Sequence, residues 1–256
     1  MYIQEVSIKI NSEFNKDELV DEFNLLLKFY RDNGQTQGKI EPEYISEGKM
    51  FEVPFTMEVD SLNKKHNNNY VNRQIEKIET LCNSKIAFKT LGKNYDNNTG
   101  PCECKNPRFY ILFTNFLTIL SPIICGSCDR AIPLYRLPMY EDDGYLPILS
   151  WESNYKACDT LQMNCEVGER WATNQMSAHN SQLSIQGREI CKRIEVLTGK
   201  PTFYYLYNYR KLSVAKDRQR KCPSCGQDWL LKKRLHNFYD FKCDTCKLIS
   251  TLTPNI

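Results

Sequence analysis

The chain has 256 residues, 41% of them apolar and 25% charged, with a formal net charge of +3. That length and apolar share can bury a sizeable core, which excludes a disordered chain, and the most apolar stretch, Phe109 to Cys125, is broken by Thr114, Asn115, Thr118, Ser121 and Pro122, which argues against a membrane span. The charge is uneven: residues 201–256 hold 11 Lys/Arg against 4 Asp/Glu, a formal +7, which leaves −4 for residues 1–200.

The opening Met1-Tyr-Ile-Gln-Glu-Val alternates like a strand and lacks the apolar run of a secretory signal, so a cytoplasmic, reducing location is expected, without a membrane. Tyr2 to Ile10 reads as a strand. A helix over Asn15 to Asp32 follows from Leu19, Phe23, Leu26, Leu27 and Tyr30 at three- and four-residue spacing, with Asn33-Gly34 as its stop. Gln37 to Ile45 and Met50 to Val59 are two extended segments around Ser46-Glu-Gly-Lys49, the second bulged or at an edge because of Pro54. A second helix over Asn67 to Leu81 and a strand over Ile86 to Leu91 complete a β-α-β-β-α-β order. That is the order of a ferredoxin-like plait, expected over residues 1–92, within an α+β chain. The fold hosts many functions and names none.

The polar stretch Gly92 to Gly100 is the expected boundary to a mixed α/β domain over residues 101–209. Cys102-Glu-Cys104 opens it and Cys125-Gly-Ser-Cys128 follows an apolar strand pair, so Cys102, Cys104, Cys125 and Cys128 can hold a zinc ion across a hairpin, with Gly126 supplying the turn. At this stage the same four could instead be small buried apolar residues. Ile132 to Pro138 reads as extended, Glu152 to Met163 as a helix, and Ser181 to Gly199 as a longer helix. Thr202 to Tyr209 is an aromatic strand with Phe203, Tyr205 and Tyr207 on one side, which suits a core and also suits stacking on bases.

The last segment, residues 210–256, is organised by Cys222-Pro-Ser-Cys225 and Cys243-Asp-Thr-Cys246, separated by 17 residues. Two tight turns can each present two thiolates to one tetrahedral zinc: Pro223 and Gly226 suit the first turn, and Asp244 and Thr245 the second. Cys222, Cys225, Cys243 and Cys246 are therefore expected to form a zinc ribbon, with two strands joined by the basic turn Lys232-Lys233-Arg234. Neighbouring i, i+3 cysteines are poorly placed to bridge each other as disulfides. Each four-thiolate zinc site carries about −2, so two such sites bring the whole chain to about −1.

No catalytic constellation is evident. His66, His179 and His236 are scattered, Cys158, Cys165 and Cys191 lack ligand spacing, and no phosphate-cradling glycine loop or nucleophile elbow occurs, so a non-enzyme is expected. The succession Pro133-Leu-Tyr, Trp151, Cys158-Asp159, Gly168-Glu-Arg, Gly187-Arg, Thr198-Gly-x-Pro201, Tyr204-Tyr-Leu-Tyr and the two ribbon Cys-x-x-Cys pairs resembles an uncharacterised bacterial zinc-ribbon family described as a candidate nucleic-acid binder. The resemblance implies the four ribbon ligands and no catalytic residue. It also implies, more weakly, an immunity protein that neutralises a polymorphic toxin. Two functions are expected of such a chain: stoichiometric binding of a protein partner such as a toxin, or nucleic-acid binding through Arg210, Lys211, Arg218, Arg220, Lys232, Lys233 and Arg234.

Overall fold

The computed structural model describes residues 1–11, 16–38, 44–46, 48–93, 100–141, 144–209 and 212–253. The chain is mixed α+β, with two sheets, and its residues gather into two compact units. One unit comprises Met1–Pro101, Ile119–Ser121 and Arg130–Leu146; the other comprises Cys102–Thr118, Pro122–Asp129 and Pro147–Ile256.

In the first unit the central strand is β1 (Tyr2–Lys9). It pairs antiparallel with β3 (Lys49–Glu52) and β4 (Phe55–Thr56) along one edge and with β5 (Ile86–Lys93) along the other, while β2 (Tyr44–Ser46) pairs with β3. Pro54 separates β3 from β4, as a residue without an N–H must. The helices are α1 (Lys16–Asp32) and α2 (Asn69–Cys82), whose N-cap Asn68 side chain accepts from the Val71 amide at 2.9 Å. Val6 and Ile8 of β1 share one buried cluster with Leu19, Phe23, Leu26, Tyr30, Val71 and Ile78, so the predicted helical spacing does face the core. The extended reading of residues 37–45 falls partly outside the described residues.

Residues 130–146, assigned by sequence to the second segment, pack on this first unit. Tyr135 donates to Glu58 Oε2 at 2.6 Å, its ring lies 4.4 Å from His66, and the Tyr145 amide donates to the Asp32 carbonyl at 2.9 Å. The expected extended run over Ile132 to Pro138 is not extended at its centre: Leu134–Arg136 is a single 3-10 turn that follows Pro133.

The second unit is built on a six-stranded sheet in the order β7 (Ile123–Cys125), β6 (Tyr110–Leu112), β8 (Thr202–Tyr205), β11 (Leu248–Ser250), β10 (Tyr239–Cys243), β9 (Leu230–Leu235). Strands from residues 101–209 and from 210–256 therefore belong to one sheet, joined by the parallel pairing of Leu248 with Tyr204 and Ile249 with Tyr205. The helices are α3 (Leu146–Asn164), which begins earlier than Glu152, then α4 (Glu169–Ser177), α5 (Gln182–Thr198) and the short α6 (Val214–Arg218). Ser181 caps α5 and Gly199 ends it in the left-handed conformation at φ 67°, as the sequence predicts. Phe203 and Tyr205 pack with Ile111, Tyr239 and Ile249 on one face of the sheet, so the aromatic strand is core. Tyr204, on the other face, lies 6.0 Å from Trp151.

Candidate metal centres

The cysteines are brought together by turns whose backbone the local sequence dictates. In each of the three Cys-x-x-Cys turns the residue after the second cysteine is left-handed: Asp129 at φ 61°, Gly226 at φ 73° and Lys247 at φ 54°. That residue lets the chain fold back, and the Gly226 amide donates to the Cys222 carbonyl at 2.9 Å while the Asp129 amide donates to the Cys125 carbonyl at 2.8 Å. Amides also point at the sulfurs. Ser127 donates to Cys125 Sγ at 3.4 Å, Cys246 to Cys243 Sγ at 3.4 Å, and Cys104 to Cys102 Sγ at 3.3 Å. Of the expected turn residues, Gly226 fills its role. Gly126 serves differently: its φ is not positive, and a Cβ there would lie 2.2 Å from the Phe109 ring, so close approach demands the glycine. Lys247 carries no sequence signal for the left-handed state, whereas Asp129, of a type that tolerates it, carries a weak one.

The result is two groups of four thiols, Cys222, Cys225, Cys243 and Cys246 in one and Cys102, Cys104, Cys125 and Cys128 in the other, with the sulfurs of each within 4.8 Å of one another. All twelve cysteines are free thiols. Cys225 Sγ and Cys243 Sγ stand 3.7 Å apart. A disulfide would bring them to about 2.05 Å. A tetrahedral ion bound through metal–sulfur bonds of about 2.3 Å would hold its sulfurs about 3.8 Å apart, so the spacing suits a metal ion. Among the described residues these two are the groups able to hold one.

Each group is half sunk in the protein. Cys102, Cys125, Cys222 and Cys243 are buried, and their partners are more accessible. The thiols divide accordingly. Burial pushes Cys102 and Cys222 up and raises Cys243 to about 12, whereas the amide of Gln227 draws Cys225 down to about 7. Burial also acts upward on Cys125, yet the Ser127 and Cys128 amides outweigh it and hold that thiol below its ordinary value. Four crowded thiols cannot all ionise alone; a dication supplies the charge that lets them do so.

The hairpin of β9 and β10 turns at His236 and Asn237, both left-handed at φ 53° and 57°, and not at the basic residues. Lys232, Lys233 and Arg234 lie within β9, and His236, Asn237 and Phe238 connect Leu235 to its partner Tyr239, with the Phe238 amide donating to the Leu235 carbonyl at 3.1 Å. The turn reaches the other cysteine group: His236 Nε2 is 3.0 Å from the Gly126 carbonyl. Lys242 Nζ sits 4.3 Å from the Phe203 ring and 5.5 Å from that of Phe109.

The proposed basic residues differ in what they do in the structure. Arg210 and Lys211 lie outside the described residues. Arg218, Lys232 and Lys233 are exposed, and Arg234 pairs with Asp240 at 2.5 Å. Arg220 is engaged internally: its Nε meets Asp217 at 3.1 Å, a terminal nitrogen donates to the Thr251 carbonyl at 3.1 Å, and its guanidinium lies 4.8 Å from Trp229 and 4.4 Å from Phe241. His66 packs against Tyr135 in the first unit, and His236 lies at the β9–β10 turn in the second. Cys191 is on the buried face of α5, where burial pushes its thiol up.

Three family models match the chain, each described as a domain of unknown function: DUF8589 at residues 1–92, DUF2310 at residues 104–207 and DUF8594 at residues 212–256. An uncharacterised protein of Haemophilus influenzae is 34% identical over 261 residues, covering 100% of this chain and 99% of that protein. A second uncharacterised Haemophilus influenzae protein is 38% identical over 169 residues, 66% of this chain and 83% of its own. No solved structure matches.

Proposed function

The chain belongs to one family with its full-length Haemophilus influenzae relative, and on that premise we propose that it is a non-catalytic zinc protein that acts by binding a macromolecular partner one to one. The observation that carries this is the closed character of both cysteine groups, each with four sulfurs within 4.8 Å. Zinc is the ion of choice because it accepts four thiolates tetrahedrally and has no redox demand. Four protein ligands leave no position for a reacting water, so the role of the ion is to hold small turns rigid. We read Cys222 to Cys246 with β9 and β10 as a zinc ribbon, and the antiparallel order β5, β1, β3, β2 with its two helices as a ferredoxin-like plait.

A protein partner is favoured by charge. With two zinc ions bound, the chain carries about −1, and residues 1–200 carry the acidic share, which suits a basic protein such as a toxin and disfavours non-specific phosphate binding. In this reading the chain is an immunity protein that neutralises its toxin by occupancy. Cytoplasmic toxin neutralisation in a co-expressing bacterium should then require about one molecule per toxin and track complex formation. Protection by far fewer molecules would reveal turnover and overturn the non-enzyme reading.

The second reading, nucleic-acid binding, draws on the exposure of Arg218, Lys232 and Lys233. It is tested by fluorescence anisotropy with RNA and DNA across a salt series, using Arg218, Lys232 and Lys233 reversed to Glu together. A salt slope flattened by about one unit for each phosphate no longer neutralised supports it, and unchanged binding rejects it. Pull-down from the source cell decides between the two by whether protein or nucleic acid co-purifies.

A further inference from the structure

A groove of about 450 Å³ in the second unit is used by neither cysteine group as a ligand sphere, although it reaches Cys222. Its walls are α4, the chain that continues β8 through Leu206 to Tyr209, α6, and the residues that lead into the first ribbon turn. Three observations describe what it would take.

The first is charge. Lys216, Arg220 and Lys221 line the groove, and no carboxylate is among its described lining residues. Arg220 contributes little, because Asp217 neutralises its charge and its donors are engaged with Asp217 and Thr251, so the groove's cations for a ligand are Lys216 and Lys221. Lys221 pairs with exposed Asp228 at 2.5 Å, a weak contact that an anion can displace. The Lys216 side chain is exposed and meets no partner among the described residues.

The second is an unmet hydrogen bond. Thr173 Oγ1 is buried on the α4 wall and has no partner among the described residues. The same residue's carbonyl is satisfied by Ser177 Oγ at 2.7 Å, so the hydroxyl is the group left over. A buried hydroxyl without a partner is unfavourable, and a ligand oxygen would relieve it.

The third is shape. The rings of Tyr207 and Tyr209 stack at 6.1 Å with a 24° tilt and form a flat wall. The backbone holds it there, since the Tyr207 amide donates to the Met176 carbonyl at 3.2 Å and the Tyr209 hydroxyl reaches Glu169 Oε1 at 3.4 Å.

We propose that this groove binds a phosphate monoester carried on a planar ring, with the phosphate between Lys216, Lys221 and the Thr173 hydroxyl and the ring against Tyr207 and Tyr209. A free nucleoside monophosphate and the 5′-phosphorylated end of a single strand present this same chemistry. The site is independent of the protein-partner reading, since a groove that binds a nucleotide does so whether or not a toxin docks elsewhere.

The test is calorimetric titration of the zinc-loaded full chain with AMP, with inorganic phosphate and with a short 5′-phosphorylated single-stranded oligonucleotide. AMP is expected to bind better than phosphate. Lys216→Ala should weaken it about tenfold, as loss of a charge-assisted contact does, and Thr173→Val less. Tyr207→Leu should reduce AMP binding and leave phosphate binding in place. Tighter binding of the oligonucleotide than of AMP identifies a strand as the source; equal or weaker binding identifies the free nucleotide. Zinc content and circular dichroism confirm that each variant is folded. The proposal fails if AMP does not bind, if AMP binds no better than phosphate, or if folded Lys216→Ala and Thr173→Val proteins bind it as the wild type does.

Discussion

Arg220 illustrates how a side chain can serve the fold where its surroundings suggest a surface. In sequence it is one of a run of cations, and nothing in that run separates it from Arg218. In the structure its guanidinium is enclosed by Trp229 and Phe241 and hydrogen-bonded to Asp217, which itself receives Asn208 Nδ2 at 2.9 Å and the Thr253 amide at 2.8 Å. Arg220→Ala would strand a buried carboxylate and should lower stability by about 3–5 kcal/mol in urea denaturation of the zinc-loaded protein. Arg220→Lys should recover little, because a single ammonium cannot both stack and fork. Loss under 1 kcal/mol for the alanine variant would show that the network is dispensable. Gly187 is a second residue whose role is invisible in sequence: a Cβ would stand 2.2 Å from the Tyr204 ring and 2.7 Å from Trp151 Nε1. Gly187→Ala gains helix propensity, yet overpacking should dominate and destabilise by about 1–3 kcal/mol, measured the same way.

Legibility at the level of elements followed the strength of the local signal. The periodic helices α1, α2 and α5 and the strand β1 were readable because an apolar face repeats along them, and Asn68 and Ser181 stand at the caps of α2 and α5. The helix α4 was not, since its two buried residues, Ala172 and Met176, supply too short a stripe. The β9–β10 turn was misplaced because three adjacent cations resemble a loop; alternation along an edge strand also accommodates them, and charge there discourages pairing with another chain. The two residues that do turn, His236 and Asn237, are left-handed without glycine. Asn237→Val should therefore cost about 1–2 kcal/mol through strain, while Asn237→Gly should be near neutral. Thermal melts of the two variants check this, and equal melting temperatures would refute the turn assignment.

At the scale of the whole chain, sequence spacing made the ribbon cysteines legible, because Cys-x-x-Cys reports a turn that short-range geometry fixes, while the Cys102-Glu-Cys104 group left metal and buried-apolar readings open. What spacing could not report was the sheet that joins the two groups, since the parallel pairing of β8 with β11 links residues some forty apart and leaves no periodic trace. That sheet places Cys125 at the end of β7 and Cys243 at the end of β10, with β6, β8 and β11 between them, and the approach of His236 to the Gly126 carbonyl ties the ribbon turn to the other cysteine turn. The two centres should accordingly hold their ions interdependently. Wild-type protein purified under reducing conditions is expected to contain about two zinc per chain, and Cys243→Ser about one, retained by the Cys102 group. With β10 loosened and His236 released from the Gly126 carbonyl, that remaining ion should pass to a chromophoric chelator several-fold faster than either ion of the wild type. Release at the wild-type rate would mean that the shared sheet transmits nothing between the centres, and that each cysteine group is an independent module set into a common fold.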